Sequence, residues 1–405
     1  MLPFSPPRID DKIIAEVTDT LKSGWITTGP KTKLFEKRLT EYCGNKTTLC
    51  LSSATAGLET ALQWFGVTEG DEVIVPVYTY CATANVVVRC RAKVVFVDCN
   101  SDDFNINISA IEKAITSKTK VIMPVDFAGL PCDYDAINKL VKAPEILEEF
   151  TPQTTEQKTL GRILVLSDSA HSVGGSYKGN KTGSLTDISV LSFHAVKNLS
   201  TAEGGAMCLN LPKPFDNEQI YIELCAKTLH GQNKDALAKT QKGNWKYDII
   251  EAGYKCNMTD IQAAMGLVEL ERYENDTLVK RKQITDEYSA ELGKYDWAQI
   301  PIFEDESRKS SYHLYPLRIK GITEEQRDAI IQKIFNEDIS VNVHFQPLSN
   351  FTVYKKMGYK TENYPVAYDN YSREITLPLY YNLTKQNIQD VLQAVIQSVN
   401  KVLND

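Results

Sequence analysis

The sequence has no apolar run approaching the ~20 residues that a membrane-spanning helix requires, so no membrane insertion is expected. It has no surplus of positive charge either: a net charge of −7 gives no long-range attraction for nucleic acid or anionic lipid, and no nucleic-acid partner is expected. Nine cysteines are scattered with no CxxC pair and no regular spacing, which argues against a disulfide framework and against a zinc site; no metal is expected. The first residues, MLPFSPPRIDDK, lack the basic start and apolar core of a secretion signal, and a reducing, cytoplasmic setting is the expectation. No GxGxxG follows a strand-like run, which removes the hydride-transferring dehydrogenases.

What is present is a 405-residue chain, 42% hydrophobic and 24% charged, long enough for two domains and a large core. Between about residues 45 and 210, apolar runs rich in β-branched residues alternate with amphipathic stretches. EVIVPV (72–77), KVVFVDC (93–99), KVIMPVD (120–126), RILVLSD (162–168) and DISVLSF (187–193) are apolar without alternation, as strands covered on both faces should be. With helices at 55–66 and 107–116, the pattern predicts an α/β domain with a mostly parallel sheet. The charged, Thr-rich stretch 142–161 is expected to be a surface excursion. Thr259 and Gln262 stand at capping-box spacing ahead of a long helix, which would lead from a large domain (1–270) to a smaller α+β domain (271–405). In the latter, strands are predicted at 313–319, 339–345 and 374–380, with helices at 323–335 and 384–403.

Ligands of open parallel sheets gather outside the carboxyl ends of the strands. Asp168 ends one such strand, and Lys197 follows the end of another. A lysine and a carboxylate meeting there suit pyridoxal phosphate. The amine holds the cofactor as a Schiff base, and the carboxylate keeps its ring nitrogen protonated, which makes the ring an electron sink. Taken alone, the two residues are more often an ion pair or unrelated surface groups. Ser53 and Thr55, in LSSATAGL, stand where a strand turns into a helix and could cradle a phosphate, although simple N-capping explains an isolated case. Ser192 could add a hydroxyl to the same phosphate, and Tyr80 could cover the ring, although a lone aromatic there is more often core. The order of the four elements carries more than each alone: cradle, aromatic, acid at a strand end, then lysine one strand later.

Over nearly its full length, from SGWITTGPKTKLFE (23–36) through SSATAGLETAL, PVYTYCATAN and the block 167–207 to GYKCNMTDIQAAMGLVEL and VHFQPL, the chain resembles the DegT/StrS-type nucleotide-sugar aminotransferases, a branch of the fold-type I pyridoxal-phosphate enzymes. WITTGP, SSATAG and GYKCNMTD are most similar to the branch that makes UDP-4-amino-4-deoxy-L-arabinose. VDFAG, LSDSAH and HAVK are similar to the pseudaminic-acid-type UDP-amino-sugar aminotransferases. The resemblance implies a large domain with a mostly parallel seven-stranded sheet. It makes Lys197 the Schiff-base lysine, Asp168 the partner of the ring nitrogen, and His171 a residue near the cofactor ring. Thr55, Ala56 and Ser192 become phosphate ligands, Tyr80 the stacked aromatic, and Asn257 a residue reaching the phosphate of a neighbouring subunit's cofactor. A homodimer with shared active sites follows from the last. Trp25, Thr27, His194 and His344 would contact the substrate, while His230 and His313 fit a structural role as well.

Activity is then expected as transfer of an amino group from glutamate to the keto carbon, C4, of a nucleotide-diphosphate sugar for polysaccharide, lipid A or glycan biosynthesis. A sugar dehydratase of the same family is the nearest alternative, but its best-known form replaces the lysine by histidine. A catalytically silent regulatory relative would not need both Lys197 and Asp168. Amino-acid aminotransferases usually hold their substrate carboxylate with an arginine, where SSYHLYPL offers a histidine. The chain departs from the family's pattern at Cys256 (usually aromatic), at Asp126 (often histidine) and in the longer stretch 142–161.

Overall fold

The uninterrupted apolar runs become strands because both of their faces are covered. In the computed structural model, which describes residues 1–234 and 245–404, the first part of the chain forms β1 (Thr47–Leu51), β2 (Glu72–Pro76), β3 (Lys93–Val97), β4 (Thr119–Ile122), β5 (Leu164–Asp168), the short β6 (Ser176–Tyr177) and β7 (Asn180–Lys181), β8 (Ile188–Ser192) and β9 (Gly205–Leu209). Seven of these make one sheet in the order β1-β9-β8-β5-β4-β2-β3. Every residue of β1, β2, β4, β5, β8 and β9 is buried. Four pairings are parallel, and β9 runs antiparallel to both of its neighbours. The carboxyl ends of β1, β2, β5 and β8 therefore share one edge with the start of β9. The fold is α/β.

The predicted strands at 72–77, 93–99, 120–126, 162–168 and 187–193 each overlap an observed strand, but β9 was not foreseen. The Gly204–Gly205 pair after the lysine looks like a turn in sequence, but Gly205 opens β9 and neither glycine has a positive φ. The left-handed residue of that turn is Ala202, at φ 66°. The stretch 142–161 holds two short helices, Pro144–Glu149 and Thr155–Leu160. It is also not wholly superficial. Ile146 and Phe150 join the main core, and the buried Gln157 side chain donates to the Phe65 carbonyl at 3.0 Å.

The capping box at Thr259 and Gln262 forms as predicted and starts the helix Asp260–Arg272, which continues through a π turn at Tyr273–Thr277 into the helix Leu278–Leu292. A second capping box, Thr323 with Gln326, starts the helix Glu324–Asn336. Caps of this kind contribute ~1 kcal/mol each. After β10 (Ala298–Gln299) and β11 (Arg308–Lys309, paired with β6), a small antiparallel sheet is completed by β12 (Tyr315–Ile319) and β13 (Glu374–Leu377). The last helix, Lys385–Asn404, buries Ile388, Val391, Leu392 and Val395 against that sheet's core.

The strand predicted at 339–345 does not form. Only single bridges tie it down, Ile339 to Leu2 and Asn342 to Thr376. The cause lies in its side chains: Ile339 and Val341 enter the small core, whereas Val343 and Phe345 pack on the large one. A segment crossing between two cores cannot keep one sheet's register.

Candidate active site

The sheet edge gathers the residues in a row. Across three adjacent strands, Leu51 pairs with Gly205 and Gly205 with Ser192. Just past Leu51 the chain enters the helix Ala54–Trp64, capped by Ser53, whose hydroxyl accepts from the Ala56 amide at 3.1 Å. The Ala56 amide is thereby occupied, and among the described residues the amides of Ala54 and Thr55 have no acceptor. Gly205 makes this crossing possible. A Cβ there would lie 2.4 Å from the Ala54 nitrogen and 2.5 Å from the Ser53 carbonyl carbon. Ser192, Thr55 and an open helix N-terminus thus stand together, a place suited to a phosphate.

Asp168, at the end of β5, is buried. Its carboxylate accepts from the Thr83 hydroxyl at 2.8 Å and from the Ala170 amide at 3.2 Å. Burial pushes its pKa up, while Thr83, Ala170 and the charge of Lys197 oppose the rise. A protonated ring nitrogen would supply the cation such a buried acid lacks. Lys197 sits in the turn after β8, its amide bonded to the His194 carbonyl at 2.8 Å. Burial lowers its amine to about 8, against the pull of Asp168. The amine is then partly unprotonated near neutral pH, as a Schiff-base nucleophile must be.

Three histidines surround this pair. His171 lies in the turn after β5 with its ring centroid 4.4 Å from that of His313 and 5.9 Å from that of Phe345, stacked on the latter. Its Nδ1 is buried without a hydrogen-bond partner among the described residues. His313 Nδ1 shares a 2.8 Å hydrogen bond with the side chain of Asn198, the residue that follows Lys197. His344 is half-buried, stacks on Phe4 at 5.6 Å, and shares a 2.9 Å hydrogen bond with the Thr376 hydroxyl. Burial, with the charge of Lys197 added, holds all three below the usual imidazole range, His344 at about 3. Tyr80 precedes the helix Cys81–Arg89 and is 62% exposed, with Phe345 6.2 Å away. An aromatic this open at the mouth of a site has a free face to stack on a ring.

His194 is exposed, 3.7 Å from Glu203. Trp25 folds onto its own turn: its Nε1 donates to the Thr28 carbonyl at 3.2 Å and lies so close over Gly29 that a Cβ there would be 1.7 Å away. Thr27 is exposed, its carbonyl accepting from the Asp260 amide at 3.1 Å. Asn257 donates to the Thr28 hydroxyl at 2.5 Å and also bonds Lys255. Among the described residues no hydrogen bond or ring contact joins Trp25, Thr27 or Asn257 to Lys197 or Asp168.

Sequence reasoning missed Thr83, Asn198, Phe345 and Asp126 as members of the site's support. Asp126 is buried and accepts from the hydroxyls of Tyr134 (2.6 Å), Ser169 (3.0 Å) and Ser172 (2.7 Å) and from the Cys132 amide (3.0 Å). It therefore fastens the turn that carries His171. Its place after a strand end was a signal; its partners were not visible.

The donor set fits pyridoxal phosphate: an amine with a lowered affinity for protons, a buried acid for the ring nitrogen, free amides for the phosphate and an open aromatic. Among the described residues no group of His, Cys, Asp and Glu is arranged to hold a metal, and no helix is long and apolar enough to cross a membrane.

Comparison with known proteins agrees. The chain is 39% identical over 403 residues to an uncharacterised protein of Methanocaldococcus jannaschii, covering 99% of this chain and 98% of that one. It is 34% identical to the spore coat polysaccharide biosynthesis protein SpsC of Bacillus subtilis, covering 97% and 96%. Among solved structures it matches Spr1654 of Streptococcus pneumoniae, provisionally assigned as a sugar aminotransferase, in its pyridoxamine-phosphate form, with a TM-score of 0.95, 45% identity and coverage of 99% and 100%. The pyridoxal-phosphate form of that protein matches with a TM-score of 0.94. It also matches Helicobacter pylori PseC, an aminotransferase of pseudoaminic acid biosynthesis, with a TM-score of 0.85, 26% identity and 99% coverage of both. The model of the DegT/DnrJ/EryC1/StrS aminotransferases matches residues 7–148 and 155–396, leaving out only part of the excursion between them and the two ends. With Lys197 and Asp168 at the edge of this sheet, the chain belongs to the DegT/DnrJ/EryC1/StrS aminotransferase family, and pyridoxal phosphate is its cofactor.

Proposed function

We propose that this aminotransferase carries the amino group of glutamate to the keto carbon, C4, of a nucleotide-diphosphate sugar, in the biosynthesis of a surface polysaccharide, lipid A or glycan. The observation that carries the reading is the pairing of Lys197 with Asp168 beside a phosphate cradle, in a chain similar to proteins named for sugar amination and for coat polysaccharide.

When bound, the cofactor supplies an electron sink for the carbon that loses or gains a proton. Lys197 anchors it, and the released amine moves that proton. Asp168, fixed by Thr83, holds the ring nitrogen in its protonated form. Ser192, Thr55 and the amides of the first turn orient the phosphate. His171, Phe345 and Tyr80 enclose the ring slot and exclude water. His344 and His194 are assigned to substrate.

Trp25, Thr27 and Asn257 are assigned to the site of the partner in a homodimer. That assignment is supported by the absence, among the described residues, of any hydrogen bond or ring contact between them and Lys197, and by the exposed apolar side chains Ile26, Ile249, Ile250 and Tyr254, which a second copy would cover. Incubation of the pyridoxamine-phosphate form with a panel of 4-keto nucleotide sugars should yield a 4-amino product identifiable by mass and NMR. Turnover of keto acids alone, with no sugar accepted, would overturn the substrate assignment.

A further inference from the structure

Glu374 and Thr376 lie two residues apart on β13, so their side chains share a face. Both are fully buried. The Thr376 hydroxyl bonds Glu374 Oε1 on one side and His344 Nδ1, at 2.9 Å, on the other. The second carboxylate oxygen, Oε2, accepts the His344 amide at 2.9 Å. Backbone bonds in both directions between Asn342 and Thr376 (3.1 and 2.7 Å), and the Tyr78 hydroxyl on the His344 carbonyl (2.7 Å), fix the segment. A continuous hydrogen-bonded chain therefore runs from a closed-off carboxyl group to a ring whose Nε2 makes no hydrogen bond among the described residues and which feels the charge of Lys197.

We propose that Glu374, Thr376 and His344 form a proton relay serving the reaction at Lys197. A proton arriving at His344 Nε2 forms an N–H bond there. The proton on Nδ1 passes to the Thr376 oxygen, and the Thr376 proton passes to Glu374, whose carboxylate becomes a neutral acid. One proton is gained overall, and the ring ends as its other neutral tautomer. The reverse sequence delivers the proton.

This route avoids an imidazolium, which burial and Lys197 disfavour: His344 is held at about 3, with Lys197, His171 and His313 around it. At the far end, burial pushes Glu374 up to about 8, while Thr376, the His344 amide, Arg327 and Arg318 pull the other way and Tyr78 stands near. The acceptor is therefore balanced near working pH. Transamination of a ketone needs such traffic, because the donor's ammonium must lose a proton and the departing oxygen must gain protons to leave as water. The inference rests on the proposed function for its role, but not for its existence.

Nitrogen-15 histidine NMR of the cofactor-free protein, with the His344 signals identified by their loss in His344→Gln, tests it. Well below pH 8 the proton should sit on Nε2, and well above it on Nδ1, with no doubly protonated ring between. Thr376→Val should abolish the switch, and Thr376→Ser should keep it. In the loaded enzyme, single-turnover reaction with glutamate should slow by ~10-fold or more in Thr376→Val and recover in Thr376→Ser. An unchanged tautomer across pH 8, or a switch whose loss leaves the rate unaltered, overturns the relay. If wild type itself does not react with glutamate, the donor assignment fails instead, and the NMR result still decides whether the relay exists.

Discussion

Lys197 is expensive where it stands. Its amine titrates at 10.5 in an unfolded chain and at about 8 here, because burial disfavours the charge. Between those values the unfolded chain holds more protons, so stability contributed by this group rises with pH across that window, and the full cost is present below 8. Lys197→Met should therefore raise the melting temperature of the cofactor-free protein at pH 7, by on the order of 1–3 kcal/mol in stability, with the gain shrinking as pH approaches 10.5. A variant melting no higher than wild type at pH 7 would mean that the amine is well solvated. Asp168 makes the complementary case. Asp168→Asn keeps the shape and the Thr83 contact but cannot hold a ring nitrogen protonated. Stopped-flow reaction with glutamate should show cofactor still attached and a rate lower by ~10²-fold or more.

Elements explain what the residues could not reveal on their own. The strands of the main sheet were legible because burial on both faces leaves an unbroken apolar run, and the capping boxes because their spacing is local. Strand β9 hid behind a Gly-Gly pair that reads as a turn. Gly205, the second of the pair, is there for room, since Ser53 and Ala54 cross directly over it. Gly205→Ala should accordingly push the helix N-terminus off the sheet edge and weaken pyridoxal-phosphate binding by ~10-fold or more, while leaving secondary structure intact by circular dichroism. Unchanged cofactor affinity would sink the cradle assignment. The segment 339–345 failed in the opposite way: its alternation looks like a strand, yet its two halves serve different cores. Lys197, Asp168 and Ser192 were legible as types of residue at strand ends, and His344 only through the family resemblance. Thr83, Asn198, Phe345 and Asp126 were not, because only the fold brings them alongside.

At the scale of the whole molecule, no hydrogen bond or ring contact among the described residues joins Trp25, Thr27 or Asn257 to the lysine of the same chain. If each site is completed by a partner subunit, Lys197→Ala and Asn257→Ala should each be impaired alone. Mixing the two, with subunit exchange, should recover part of the activity, because one site of each mixed dimer then contains both wild-type residues. No recovery on mixing, with exchange verified by mass, would place Asn257 in its own chain's structure only.

The central claim is that Lys197 holds the cofactor and that glutamate recharges it. The most direct test is the visible absorption spectrum of the purified protein and of Lys197→Ala, each reconstituted with pyridoxal phosphate, before and after glutamate. The wild type should show the band of lysine-linked cofactor and lose it on adding glutamate as the pyridoxamine form appears, and the variant should show neither the linked band nor recycling. A wild type that takes up no cofactor, or a Lys197→Ala protein that cycles as wild type does, would contradict the account.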